Sequence, residues 1–347
     1  MKKVNIGGQA VLEGVMMKGP KSYALAVRKP DNEIEVKVTE YQSIGEKHKA
    51  LNIPLVRGVV NFIESLYIGM KTLMDSSEYF VDEEEPESGK DKKDGKTEIT
   101  EKAEKSVTVE NIDNSEKTEK TEKTENAEKS EKEKDSNTAY LIGTLVFSLV
   151  IAIGIFMLLP AFITNLLYKV TDSNLLVNLA EGILRLLIFL GYVLAISQME
   201  DIKRTFMYHG AEHKTINCME AGKDLTVENV RQATRFHKRC GTSFIFIVMF
   251  ISIFVFMFVN TNVLWIRLVS RILLIPVIAG ISYEFIRYAG RHENVCSNIF
   301  SAPGLWVQRL TTKEPDDSMI EVAIKSVEGV IDWHEYVECV RSNSFEG

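Results

Sequence analysis

Residues 242–259 read TSFIFIVMFISIFVFMFV, a nearly continuous apolar run with no polar face to turn toward water. Its length approaches the ~20 residues that a helix needs to cross the hydrocarbon core of a bilayer. Three further stretches have the same character, at residues 139–159, 175–197 and 262–287. The sequence therefore predicts an α-helical polytopic membrane protein with about four transmembrane helices, in a transmembrane domain covering residues 139–287.

The distribution of basic residues predicts the orientation of these helices. Loop 198–241 carries eight Lys and Arg residues, whereas the short loop after the first span carries only Lys169. Cytoplasmic loops hold the excess of basic residues, so this loop and both chain termini are expected in the cytoplasm. The opening, MKKVNIGGQAVLEG, has no apolar core of signal-peptide length, which also favours a cytosolic N-terminal part.

The charge of the chain is concentrated in one segment. Residues 82–137 contain 20 acidic residues and 12 lysines, whereas the net charge of the whole chain is −7. This Lys/Glu-rich segment has almost no large apolar residues, so we expect a disordered linker. The rest of the chain is nearly neutral, which predicts no nucleic-acid partner. Four scattered cysteines predict no disulfide framework, and in the cytoplasm their thiols would stay reduced.

Soluble elements are predicted on both sides of the apolar region. Residues 1–50 are expected to form a small cytoplasmic β-unit, because Ile34, Val36 and Val38 alternate with polar residues and so give each strand one buried face. Residues 51–80 have one apolar helical face and a charge load typical of an interfacial or re-entrant helix. Residues 288–347 are expected to be a cytoplasmic tail with an amphipathic helix that begins at a capping box of Ser318 and Glu321.

Four ionisable residues interrupt the second and fourth predicted spans. Glu181 and Arg185 lie four residues apart, as do Arg267 and Arg271. Charges at such depth face a partner or a wet cavity. A structural ion-pair cluster is the favoured interpretation, and a conduction or substrate path is the alternative.

The stretch YHGAEHKTINC, residues 208–218, contains the pattern of an inverted zincin motif in His209, Glu212 and His213. On a helix, residues four apart share a face, so both imidazoles can reach one ion. Glu212 could then act as the catalytic general base that accepts a proton from water. Such short motifs also arise by chance, and histidines on helices often only pack.

A second pair of ligand-type residues, His237 and Cys240, follows in the same loop. Two histidines with a further His or Cys form a zinc-type shell with one open position, so the expected cofactor is a divalent metal, zinc. Glu284, at the cytoplasmic end of the fourth predicted span, is a competing metal ligand. A shared site requires the chain to fold back near residues 199–204, because a straight helix would carry His209 about 18 Å beyond the membrane exit.

Four motifs, GGQAVLEGVMMKGP, YHGAEHKTINC, HKRCGTSF and LWVQRLTTKEPDD, resemble those of the YqhQ-type bacterial membrane proteins. That family is built around a domain of unknown function and is classed as predicted metal-dependent enzymes. The resemblance spans nearly the whole chain outside the Lys/Glu segment. It implies a multi-pass protein of the inner (plasma) membrane, with the bilayer as its partner. The matching positions are His209, Glu212, His213, His237, Arg239, Cys240, Gly241, Gln9, Glu13 and Glu284.

Three functions follow from these features. The first is a metal-dependent hydrolase that acts at the cytoplasmic leaflet on a lipid-linked molecule or a membrane protein. The second is a non-catalytic membrane factor or scaffold that binds a membrane-protein partner during assembly or translocation. A transporter is the third and least favoured, because the four predicted spans show no pair of broken helices. The sequence predicts neither the substrate nor the oligomeric state.

Overall fold

The computed structural model describes residues 6–48, 51–80, 142–259, 261–289 and 294–344. The chain divides into two units, one formed by Met1–Val81 with Ser148–Gly347 and the other by Asp82–Phe147. In the second unit the structure describes only residues 142–147, which begin a helix. The linker predicted at residues 82–137 therefore lies outside the described residues.

The N-terminal segment forms a four-stranded antiparallel sheet, as the prediction of a small β-unit anticipated. Each strand pairs with the next one in the chain, so the sheet is a meander. The first turn places Glu13 in the left-handed region, at φ 47°, and the turn before the last strand does the same for Asn32, at φ 67°. The strands are β1 (Gly7–Val11), β2 (Gly14–Lys18), β3 (Ser22–Arg28) and β4 (Ile34–Glu40).

Both faces of the two central strands are buried, which differs from the single buried face predicted for each strand. Val15 and Met17 of β2 belong to one apolar core, whereas Met16 of the same strand belongs to another. The alternating valines of β4, expected to be buried, are instead partly exposed, at 36% for Val36 and 53% for Val38. The reason is position, because β4 is an edge strand and only the inner strands are covered on both sides.

Helices make up most of the remaining described chain. Two of them lie within residues 6–80, and the others follow from residue 142 onward. They are α1 (Ile44–Lys47), α2 (Val56–Glu78), α3 (Ile142–Lys169), α4 (Asn174–Ile196), α5 (Glu200–Glu220), α6 (Val227–Gln232), α7 (Gly241–Met257), α8 (Leu264–Leu273), α9 (Ile275–Ala289), α10 (Val295–Thr311), α11 (Asp317–Glu328) and α12 (Trp333–Ser342).

Two of these helices, α3 and α4, are long and apolar enough to cross a membrane, and the bent pair α8–α9 adds a third if it counts as one span. Helix α7 is apolar but has only 17 residues. Length and composition thus suggest membrane association for two or three helices, compared with the four spans expected from the sequence.

Helix α3 runs ten residues past the predicted end of the first span, and it does so through Pro160. A proline has no N–H to donate to the carbonyl four residues earlier, which is that of Phe156. The helix adapts with a π-helical turn at Gly154–Leu158, and the Nε of Arg185 donates to the free Phe156 carbonyl at 2.9 Å. The buried guanidinium therefore bonds the carbonyl to which Pro160 cannot donate.

The fourth predicted span is broken at Leu274, where α8 and α9 meet at a bend of 44°. Pro276 lies two residues later, so its ring crowds the carbonyl of Ile272 and cannot bond to it. The sequence-based interpretation did not assign this break, although the proline is its visible cause.

The C-terminal segment, for which an amphipathic helix was expected, contributes helices to the core beside the sheet. Met319, Ile320 and Val327 of α11 share an apolar core with Val15 of β2 and Tyr208 of α5. Asp316 caps α11, because its carboxylate accepts the Met319 N–H at 3.0 Å. The N-cap of α11 is therefore Asp316, two positions before the predicted Ser318.

The four ionisable residues of the apolar helices form one buried cluster. Glu181 on α4 accepts from Arg185 at 2.8 Å, from Arg267 at 2.7 Å and from Arg271 at 2.7 Å. All four side chains are at most 3% exposed. One carboxylate thus joins α4 to α8, which fits the structural ion-pair interpretation better than a conduction path.

Candidate metal centre

Helix α5 positions the first ligand pair. The chain leaves α4 at Ile196 and breaks at Ser197–Met199, where Met199 is extended, before α5 begins at Glu200. This break supplies the change of direction that a shared site required. From Tyr208 to Met219 most side chains of α5 are buried, because the helix packs beside β1, β2 and α11.

Three ligand-type side chains converge at one point, namely His209, His213 and Cys240. One ligand atom from each lies within 4.8 Å of the other two. The Sγ of Cys240 lies 3.3 Å from the Nε2 of His209, and the two imidazole rings are 4.4 Å apart at their centroids. Ligand atoms of a tetrahedral zinc site are roughly 3.5 Å apart, given Zn–N and Zn–S bonds of about 2.0–2.3 Å. The three side chains fit such a shell after small side-chain shifts.

Backbone carbonyls orient both histidines toward this point. The Nδ1 of His209 donates to the Thr311 carbonyl at 2.9 Å, and the Nδ1 of His213 donates to the Arg235 carbonyl at 2.7 Å. A carbonyl can only accept, so each ring carries its proton on Nδ1 and presents Nε2 to the centre. Metal-ligating histidines commonly have such a partner on the second nitrogen.

The cluster also stabilises a thiolate. Burial would raise the pKa of Cys240, but the positive charges of His209 and His213 outweigh burial and lower that pKa well below its usual value. Burial disfavours protonation of His209, yet the Cys240 thiolate and Glu212 raise the pKa of His209 to about 9. The thiolate is the form of cysteine that binds metals. The site holds Cys240 as an anion between two protonated imidazole rings. Because a metal ion can replace the protons of such rings, the site is suited to bind a cation.

Glu212 lies beside the three ligand-type side chains but outside their group. Its Oε2 is 3.5 Å from the Nε2 of His213 and 3.9 Å from the Nε2 of His209. The residue is 3% exposed, and β1 lies close to it, since a Cβ on Gly8 would be 2.7 Å from the Glu212 Cγ. The carboxylate is therefore placed next to the centre with little access to bulk water.

Two other predicted ligands are placed differently. The ring of His237 lies 5.6 Å from that of His213, and its Nε2 is 3.6 Å from a Glu220 oxygen. The pKa of Glu220 falls to about 2, because its bond to His237 and the charge of Arg239 outweigh the effect of burial. His237 thus lies beside the group and is paired with a carboxylate.

Glu284 stays outside the group for a different reason. Both of its carboxylate oxygens accept hydrogen bonds from the guanidinium of Arg57, which joins α9 to α2. Both oxygens of Glu284 are therefore occupied by this ion pair. Its position at the cytoplasmic end of the fourth predicted span does not bring it into the group.

The four sequence motifs meet at this place. GGQAVLEG supplies Gly8 over Glu212, and LWVQRLTTKEPDD supplies Thr311 and also Gln308, whose side chain bonds both the N–H and the carbonyl of His237. These supporting residues were not assigned from the sequence. Only the occurrence of all four motifs in one chain could have pointed to these residues. A hydrogen bond to a backbone atom requires no particular side chain, so it produces no recognisable pattern in the sequence.

Gln9 and Glu13 of the first motif join the sheet to neighbouring helices. The Gln9 amide donates to the Gly69 carbonyl of α2 at 3.4 Å. The Glu13 carboxylate accepts from Arg204 and, at 3.3 Å, from Tyr208. Both residues thereby fasten the sheet to neighbouring helices.

The centre opens onto a pocket of about 680 Å³, within the range of ~300–1,000 Å³ typical of ligand sites. His209 and Cys240 line one end of it. Residues of β1, β2, α2, α5, α7 and α9 line the rest, and most of them are apolar residues or glycines. The arrangement therefore combines a metal-type donor set with space for a ligand beside it.

Fold and site together define a mainly helical protein with two or three candidate membrane helices and a buried His–His–Cys cluster beside a small sheet. Residues 53–333 match the family model described as "Protein of unknown function (DUF1385)", so the chain belongs to the DUF1385 family. It is 35% identical over 333 residues to "Uncharacterized protein YqhQ" of Bacillus subtilis (strain 168), covering 92% of this chain and 90% of that protein. No solved structure matches.

Substitution of Gly210 by alanine is expected to destabilise the site. The new Cβ would overlap the carbonyl oxygen of Lys313, a backbone atom that cannot move aside cheaply. Overpacking of this kind costs about 1–3 kcal/mol. The measurement is the midpoint of thermal unfolding of the purified protein in detergent.

Gly191→Ala is the matched control, since nothing lies within 4 Å of its Cβ position on α4. In a helix interior this change should be neutral or stabilise by up to about 1 kcal/mol. Equal midpoints for the two variants would contradict the close approach of α5 to residue 313.

Proposed function

We propose that this chain is a multi-pass membrane protein carrying a divalent metal, zinc, on His209, His213 and Cys240, and that it acts as a metal-dependent hydrolase at the cytoplasmic leaflet. The observation that carries the proposal is the convergence of these three side chains, with both Nε2 atoms oriented inward by carbonyls. Two imidazoles and one thiolate form a catalytic type of zinc shell, in which a fourth position stays open.

The protein groups around the centre would perform the proton transfer. Glu212 is the general base, since its carboxylate lies 3.5 Å from the His213 ligand atom and can accept the proton of an attacking water. When bound, the metal would polarise a carbonyl or phosphoryl group as a Lewis acid. The β1 strand over Glu212 limits water on one side, and the pocket admits the substrate on the other.

The membrane part of the proposal extends to four crossings, with both termini in the cytoplasm. Helix α7 spans about 25 Å at 1.5 Å per residue, and with its flanking residues it comes close to the ~30 Å hydrocarbon core. Large apolar side chains are exposed along it, including Phe250 at 43% and Phe254 at 52%. Lipid would cover these apolar surfaces, because a contiguous apolar patch is rarely exposed to water.

A reporter fusion tests the orientation. Alkaline phosphatase fused after Lys169 is expected to be active outside the cytoplasm, whereas the same enzyme fused at the C-terminus should be inactive. The distribution of basic residues gives the reason, since loop 198–241 holds eight of them. Activity at the C-terminus would overturn the proposed orientation.

A second candidate function, a non-catalytic membrane factor or scaffold, is supported by one specific feature. Each imidazole also joins α5 to a different segment, His209 to Thr311 and His213 to Arg235. A metal at this place would then hold three segments together as a structural element, and the surrounding protein would bind a membrane-protein partner.

Substitution of Glu212 by glutamine distinguishes the two functions. The hydrolase requires a base, so the variant should keep its metal but lose about 10²–10⁴-fold in turnover. The measurement is metal content together with complementation of a strain that lacks the gene. Glu200→Gln, at the exposed start of the same helix, is the control and should complement. If Glu212→Gln complements fully with its metal bound, the centre is structural and the scaffold function stands.

A further inference from the structure

The pocket beside the metal centre has an uneven distribution of charge and apolar surface. None of the described residues that line it is acidic, whereas Lys18 and Arg239 both line it. Arg239 lies next to Cys240 at the polar end of the pocket, where the Cys240 Sγ already accepts the Thr242 N–H at the N-terminus of α7. Helix N-termini and basic side chains both favour an anion. The polar end of the pocket is thus complementary to a negatively charged group.

Much of the remaining pocket lining is apolar, and helices α2, α7 and α9 contribute a large part of it. Phe62 of α2 and Phe244 of α7 pack together with ring centroids 5.4 Å apart. Leu66 of α2, Ile245 of α7 and Ile286 of α9 line the same space. Ile245 is 45% exposed on the first turns of a helix that is apolar throughout. An apolar chain could therefore enter between α2 and α7 from the level of the membrane.

We infer that the pocket binds an anionic single-chain amphiphile, with its phosphate head at the end lined by Arg239 and its acyl or prenyl chain between α2 and α7. This inference rests on the proposed function, because it places the head group next to His209 and Cys240 and so names the substrate class of that centre. Two features carry it, the absence of acidic side chains among the described lining residues and the apolar walls.

The alternative occupant of such a space is an apolar side chain of a partner protein. A protein segment would bring no requirement for an anionic head, whereas Lys18 and Arg239 provide two positive charges at one cavity. The guanidinium of Arg239 is paired with Glu220, which fixes its position beside Cys240. Fixed donors of this kind cost little ordering on binding.

The test uses the full-length protein in phosphatidylcholine nanodiscs with two photoactivatable probes. One is palmitoyl lysophosphatidic acid with a diazirine near the chain end, and the other is the lysophosphatidylcholine with the same chain. Crosslinks from the anionic probe are expected on α2 and α7 around Leu66 and Ile245, at least about tenfold above those from the zwitterionic probe. Equal labelling by both probes, or labelling elsewhere, would overturn the inference.

Three variants separate the contributions of chain and head. Leu66→Trp fills the pocket and should reduce labelling roughly tenfold. Ile63→Trp, on the same helix but 58% exposed and outside the pocket lining, should label as the wild type does. Lys18→Gln should reduce labelling by the anionic probe but leave labelling by the zwitterionic probe unchanged. Unchanged labelling of Leu66→Trp would refute the pocket as the site.

Metal content, measured on the same samples, keeps the two proposals distinguishable and reports folding. Leu66→Trp should keep its metal, so lost labelling there reflects the pocket alone. Bound metal without anion-dependent labelling overturns the amphiphile and leaves the metal centre. Anion-dependent labelling in a protein without metal supports the amphiphile pocket and overturns the proposed hydrolase.

Discussion

Replacement of Glu181 by glutamine is expected to cost about 3–5 kcal/mol of stability, the loss typical of breaking a buried ion pair from one side. Among the described residues, Glu181 is the carboxylate that bonds Arg185, Arg267 and Arg271, and all of these side chains are at most 3% exposed. Glutamine keeps the shape but removes the charge, which leaves three buried guanidinium groups without a counter-charge.

The cluster has little capacity to compensate for this loss. Among the described residues, the Nε of Arg267 is already buried without a hydrogen-bond partner. The measurement is the midpoint of thermal unfolding in detergent, followed by gel filtration of the heated samples. Glu200→Gln is the control, since that carboxylate lies at the exposed start of α5. A Glu181→Gln midpoint equal to that of the wild type would contradict the structural role of the cluster.

Removal of the proposed metal is expected to have the second large effect. A ligand that binds only the folded state stabilises it by about 2.7 kcal/mol when its free concentration is a hundred times the dissociation constant. A chelator should therefore lower the thermal midpoint of the wild type, and added zinc should restore it. Three segments depend on the centre, since Thr311 and Arg235 bond the histidines of α5.

Cys240→Ser should remove this response, because a hydroxyl is a far weaker zinc ligand than a thiolate. Cys339→Ser is the matched control, since Cys339 lies on α12 outside the candidate group. If the chelator shifts the Cys240→Ser midpoint as much as that of the wild type, Cys240 is not a ligand of the ion being removed.

Local patterns were sufficient to predict the parts of the fold that depend on neighbouring residues. Helices α4 and α7 could be predicted by counting consecutive apolar side chains. The proximity of His209 and His213 could be predicted from the helical repeat. The break before α5 was anticipated from geometry, because a straight helix could not bring His209 to Cys240.

Features that depend on distant partners could not be predicted in this way. Alternation in β4 indicated a buried face, but nothing local says that β4 would be the edge strand. The helical repeat of α11 showed an apolar face without showing that the sheet would cover it. Glu284 had the right chemistry for a ligand, but its pairing with Arg57 joins residues far apart in the chain.

Elemental analysis of the detergent-purified protein tests the central claim most directly. The account predicts one zinc ion per chain in the wild type, none in His213→Ala, and an unchanged content in Glu284→Gln, whose carboxylate is paired with Arg57. A wild-type protein without stoichiometric metal, or a His213→Ala variant that retains it, would contradict the metal centre formed by α5 and Cys240.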